Sequence, residues 1–125
     1  MGAVSSRGKT RILIVEDQIM LALHVADVVE AMGCEPVGPV GSVSAALPIA
    51  LHEPLAAALL DIRLTDQTVG PVADVLQRRA IPFAFMTAYT RVHLPAAHRA
   101  RPFLCKPFTD DQLRAAVATL TEGQP

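Results

Sequence analysis

Short apolar runs interleaved with helically spaced segments constrain what this chain can fold into more than any other feature. Arg11–Val15 (RILIV) is the first, a β-branched strand with both faces buried. Residues 18–32 follow as a helix, because Leu21, Val25, Val28, Val29 and Met32 recur at three- and four-residue steps and mark one apolar face. Gly33 stands where a left-handed cap would end it. Residues 36–40 read as a second strand, which Pro36 and Pro39 place at a sheet edge. Ser42 caps a helix over Val43–His52. Pro48 is expected to kink or shorten that helix, since it has no N–H to donate. Residues 56–60 (AAALL) are a third, fully buried strand running onto Asp61. Pro71 suits the first turn of a helix reaching about Arg79. Residues 81–86 (IPFAFM) form a fourth strand and Phe103–Cys105 a short fifth. Thr109 and Gln112 have capping-box spacing for a last helix, with Leu113, Val117 and Leu120 facing inward.

Strands that alternate with helical segments predict a parallel sheet covered by helices on both faces. Right-handed crossovers leave few topologies. The expected one is an α/β, flavodoxin-like doubly wound sheet of five parallel strands in the order 2-1-3-4-5. The 125 residues fit one domain, expected over 11–121, with a flexible N-terminal tail at 1–10 and a C-terminal tail at 122–125. Apolar residues at 51% and charged residues at 18% exclude wholesale disorder. A net charge of −1 without a basic stripe argues against direct nucleic-acid binding, and Arg7, Lys9 and Arg11 read as a solvated tail. Two cysteines, Cys34 and Cys105, make neither a disulfide framework nor a zinc site, so a cytoplasmic location is expected. No apolar run approaches the roughly 20 residues of a membrane span, and MGAVSSRGKT lacks a signal-peptide core. The opening Met-Gly with Ser6 matches a myristoylation pattern, but nothing else in the chain is membrane-directed.

In a sheet of this kind, chemistry collects at the carboxyl ends of the strands. The first strand delivers Glu16 and Asp17, the third Asp61, the fourth Thr87 and the fifth Lys106, followed by Pro107. Each has a plain reading when taken alone: Asp17 caps the first helix, Thr87 forms a turn, Lys106 is a surface charge. Together they converge on one crevice. Three adjacent carboxylates raise one another's pKa values unless a cation is present. Mg²⁺ is suited to few carboxylates, several waters and a phosphate oxygen. Lys106 supplies a point charge and Thr87 a hydroxyl donor. Phosphoryl transfer depends mainly on such positioning and charge stabilisation.

Glu16-Asp17, Asp61, Thr87 and Lys106-Pro107, in that order and at strand ends, resemble the signature of receiver domains of two-component response regulators. The resemblance covers residues from about 11 to 120. It implies that Asp61 takes phosphoryl from a phospho-histidine of a sensor histidine kinase or a histidine phosphotransfer protein. It further implies that Asp17 binds Mg²⁺ directly, that Glu16 acts through water, and that the backbone carbonyl of Arg63 is another ligand. Thr87 and Lys106 would hold the phosphoryl group and report it. The protein would then be a signalling switch and not a metabolic enzyme, acting on a downstream protein or as a phosphoryl shuttle or sink. It could be a single-domain regulator or a piece of a longer protein.

A closer resemblance is to a receiver subgroup with a Phe-Ala-Thr-Gly-x-Tyr motif. Here the run is Phe85-Met86-Thr87-Ala88-Tyr89, with Met86 and Ala88 departing from the pattern. That subgroup implies a short or irregular fourth helix, between the fourth and fifth strands. Residues 90–101 (TRVHLPAAHRAR) agree, with Pro95 and no clean apolar stripe. Arg91, His93, His98, Arg99 and Arg101 read there as a solvated surface, or as a partner surface that changes on phosphorylation. The moving aromatic is either Phe103, otherwise plain core, or Tyr89. A flavin or nucleotide binder on the same fold would need a Gly-rich loop where Glu-Asp-Gln stands. An aspartyl phosphatase would need an Asp where Arg63 stands. A receiver that binds partners without phosphorylation would not need the full set of residues present here.

Overall fold

In the computed structural model, which describes residues 9–88, 98 and 101–122, five runs pair as one parallel sheet. They are Arg11–Val15 (β1), Glu35–Val40 (β2), Ala57–Asp61 (β3), Phe83–Thr87 (β4) and Phe103–Cys105 (β5), in the order β2-β1-β3-β4-β5. The expected flavodoxin-like order is therefore the observed one. Ile12 pairs with Ala57 and Leu60 with Phe85, a register that brings Asp61 beside Met86 at the carboxyl edge. β2, with its two prolines, is an edge strand as expected.

Beyond Arg11 the central strands are buried, so their side chains alternate between two cores and not between core and water. Leu13, Val15, Ala58, Leu60, Phe83 and Phe85 face Val43–His52 (α2) and Gly70–Arg78 (α3). Ile12, Ile14, Ala57, Leu59, Ala84 and Met86 face Ile19–Ala31 (α1) and Asp110–Thr121 (α4). The alternation follows from the two-residue period of a strand. It explains why the interior of each run is apolar, with polar residues at the ends.

The helices end where local chemistry ends them. α1 buries Ala22, Val25, Val28 and Val29, while Leu21 and Met32 are half-buried at the rim. Gly33 at φ +87° closes it: its N–H donates to the Glu30 carbonyl (2.9 Å) and the Cys34 N–H to that of Val29 (3.2 Å). That is a Schellman ending, which the left-handed glycine makes possible. α3 carries Pro71 in its first turn. α4 begins with the expected reciprocal cap, Gln112 N–H to Thr109 Oγ1 at 3.0 Å and Thr109 N–H to Gln112 Oε1 at 2.8 Å.

Pro48 does not shorten its helix. α2 runs unbroken through it. Pro48 and Ser44, one turn earlier, are both exposed, so water can serve the Ser44 carbonyl that the proline leaves without an N–H. No helix among the described residues is long and apolar enough to cross a membrane. The expected tails lie mostly outside the described residues, as do Tyr89, Arg91, His93, Arg99 and the expected irregular helix between β4 and β5.

Candidate functional site

The loop after β1 places Glu16 and Asp17 against the end of β3. Glu16 is inside: its N–H donates to the Val40 carbonyl (2.9 Å) and its Oε2 accepts the Gln18 N–H (3.0 Å). The plain reading of Asp17 as the cap of α1 is therefore excluded, and the reading that places it in the crevice stands. The residue before that helix is Gln18, without a side-chain cap, and Glu16 serves it from behind. Asp17 is left to face the cleft, more open to solvent than its two neighbours.

Glu16, Asp17 and Asp61 each bring a carboxylate oxygen to within 4.8 Å of the others. Lys106, at the end of β5, sets its Nζ 2.7 Å from Glu16 Oε1 and 3.5 Å from Asp61 Oδ2. Its backbone N–H donates to the Thr87 carbonyl at 2.7 Å, which ties the ends of β4 and β5 together. Thr87 is fully buried. Asp17, Gln18, Asp61, Arg63, Ala88 and Lys106 line a cleft of about 240 Å³ over this cluster. The structure thus gathers Glu16, Asp17, Asp61, Arg63 and Lys106, and brings Thr87 to the same edge. Phe103 is half-buried against the α2–α3 core.

The electrostatics are unbalanced. Two carboxylates at such a separation repel by about 3 kcal/mol at an effective dielectric constant near 20, and Lys106 pairs with Glu16 and Asp61. Burial, then the Glu16 charge, pushes the Asp61 carboxyl from 3.8 up to about 7, with Lys106 pulling the other way. Glu16 Oε1 is buried and meets Lys106 only as a charge, without the angles of a hydrogen bond. A buried acceptor of this kind, beside two further carboxylates and an open cleft, fits a hard divalent cation with oxygen ligands. Nothing in the donor set, which holds no His or Cys, fits a softer metal.

Two residues carry more than their sequence context suggested. Asp66 reaches from the β3–α3 loop to the start of α2: Val43 N–H donates to its Oδ1 (2.9 Å) and Ser44 N–H to its Oδ2 (3.1 Å). These bonds, Val43 foremost, hold its carboxyl below the usual range. A lone Asp in a polar loop gives no signal of so distant a partner. His98 corrects the expectation of a solvated surface. It is 1% exposed, its ring 5.4 Å from Phe83 and its Nε2–H donating to Asp74 Oδ1 at 2.9 Å. Arg101 likewise lies over the Phe83 ring at 4.4 Å. Phe83 and Phe85 supply the apolar wall that draws both inward.

No protein-family model matches the chain. Similarity to individual proteins is clear. The solution structure of SdrG from Sphingomonas melonis Fr1 superposes with a TM-score of 0.78 at 38% identity, covering 90% of this chain and 96% of that one. The REC domain of the response regulator PhyR from Erythrobacter litoralis superposes with a TM-score of 0.80 at 27% identity, covering 95% of both chains. The Phyllosphere-induced regulator PhyR of Methylorubrum extorquens is 31% identical over 113 residues, 87% of this chain and 42% of that protein. The chain spans about half the length of the curated relatives it matches.

Proposed function

The chain belongs to the receiver domains of response regulators, the switches of two-component signalling, and on that premise we propose that Asp61 accepts a phosphoryl group. The observation that carries the reading is the meeting of Glu16, Asp17 and Asp61 within 4.8 Å, with Lys106 3.5 Å from Asp61. The donor would be the phospho-histidine of a histidine kinase or a histidine phosphotransfer protein. An Asp61 carboxylate oxygen forms the new O–P bond, the P–N bond breaks, and the imidazole leaves with a proton from solvent.

Each side chain has a part that its position supports. Asp17 and Asp61, with the Arg63 carbonyl, would hold Mg²⁺, and Glu16 would contact it through water. When bound, the cation neutralises charge on the phosphoryl oxygens. Lys106 supports the same oxygens as a point charge, its position fixed by Glu16. Thr87 offers its hydroxyl from the adjacent strand. The switch runs through Thr87 to Tyr89 or Phe103, and so to a surface that binds a downstream protein. SdrG, at 38% identity, has a BeF3-activated conformation, which supports an activated state reached through a phosphoryl-like group. Incubation with a small-molecule phosphodonor and Mg²⁺, followed by intact mass, should show one phosphoryl adduct. The adduct should be lost in Asp61→Asn and after chelation. Absence of an adduct with every divalent cation tried would refute the reading.

A further inference from the structure

We propose that Asp66 is a positioning residue: its carboxylate locks the loop after β3 onto the start of α2, and so holds Arg63 and Asp17 at a fixed spacing around Asp61. The inference rests on the cation-dependent reading above. It starts from the loop itself, which is a small hairpin. Val69 N–H donates to the Ile62 carbonyl (2.8 Å), Leu64 N–H to that of Gln67 (3.1 Å), and Arg63 bridges antiparallel to Thr68. Asp66 sits at its tip and spans two successive N–H groups of α2, at 2.9 and 3.1 Å. A carboxylate suits this place because it offers two acceptors and a negative charge to a helix N-terminus.

The same helix start leans on the loop after β1. A Cβ at position 41 would come 3.3 Å from the Asp17 Cα, so Gly41 lets the two backbones touch. Glu16 N–H bonds the Val40 carbonyl beside it. Backbone contact therefore runs from Asp17 through Gly41 to α2, then through Asp66 to the hairpin that carries Arg63. Without Asp66, Arg63 remains tethered to Asp61 by sequence but loses its fixed distance from Asp17.

The test titrates Mg²⁺ alone into the metal-free full chain, followed by NMR shifts of the amides of Asp17 and Arg63. Asp66→Ala should raise the dissociation constant about tenfold, the low end for loss of a residue supporting metal ligands. Asp66→Asn, which keeps one acceptor, should raise it less, and it carries the measurement if the alanine variant does not fold. Gly41→Ala should weaken binding in the same direction. Ser42→Ala removes side-chain bonds of this helix start that do not involve Asp66, Ala45 N–H to Ser42 Oγ at 3.1 Å and the Ser42–Ser44 hydroxyl pair at 3.2 Å. It should lower the melting temperature and leave the dissociation constant unchanged. Wild-type affinity in a folded Asp66→Ala protein overturns the proposal, and so does equal weakening by Ser42→Ala, which would mean helix stability alone is at work. If the wild-type chain takes up no Mg²⁺, the cation reading falls and this inference with it.

Discussion

Without divalent cations, the stability of the wild-type protein should fall as pH rises from about 4 to about 7, and Asp61→Asn should remove most of that fall. The Asp61 carboxyl is pushed from 3.8 to about 7, by burial first and the Glu16 charge second. The unfolded chain releases this proton near its ordinary value, whereas the folded chain keeps it until about pH 7. Between the two, the folded state binds more protons, so raising the pH favours unfolding. At about 1.36 kcal/mol per pKa unit the shift corresponds to about 4 kcal/mol. The cleft opens to water beside Asp17, and half of that, about 2 kcal/mol, is the expected fall after screening. For a domain of this size it amounts to about 8 °C in melting temperature. The assay is thermal unfolding by circular dichroism at fixed ionic strength with chelator, wild type against Asp61→Asn, from pH 4 to 8. The two should agree near pH 4, and the variant should be the more stable above pH 7. Titrating groups remote from Asp61 are common to both and cancel in the difference. Saturating Mg²⁺ should restore the wild type above pH 7 far more than the variant. Parallel melting curves across the range would refute the account of a buried, repelled carboxylate.

Other perturbations test separate parts. Lys106→Met should destabilise the metal-free protein by about 3 kcal/mol in denaturant unfolding at pH 7, because it leaves the buried Glu16 without its cation. Leu113→Ala, at a fully buried position between α4 and the sheet, should cost about 3 kcal/mol in the same assay. Thr109→Ala should cost about 1 kcal/mol by removing the cap of α4. His98→Phe should be neutral or raise the melting temperature. It removes the buried, unbonded Nδ1, and Asp74, 57% exposed, regains water in place of its imidazole partner. A large loss of stability in His98→Phe would mean that the bond to Asp74 matters more than the orphaned nitrogen.

Most of the fold was readable because its signals are local. Strand runs with both faces apolar, Gly33 past a periodic helix, and Thr109 with Gln112 at a helix start are each decided within a few residues. Boundaries shifted by one or two positions, as at β4, where the ladder begins at Phe83 and takes in Thr87. Pro48 leaves α2 at its full length because its effect depends on exposure, which residue spacing does not report. His98 was misjudged for the same reason: its polar character was legible, but not the Phe83 and Phe85 wall that takes it in.

The amino-acid sequence by itself determined the doubly wound order and the set of polar residues at the strand ends, since both follow from the order of elements and the parallel crossover rule. Only the tertiary structure decided how those residues meet. It put Glu16 inside, paired to Lys106, gave the start of α1 to Glu16 and left Asp17 to the cleft, and raised the Asp61 carboxyl through burial and a neighbour's charge. It also joined Asp66 to α2 across the sheet edge. These are matters of distance and solvent exclusion between residues far apart in the chain, and no local pattern carries them.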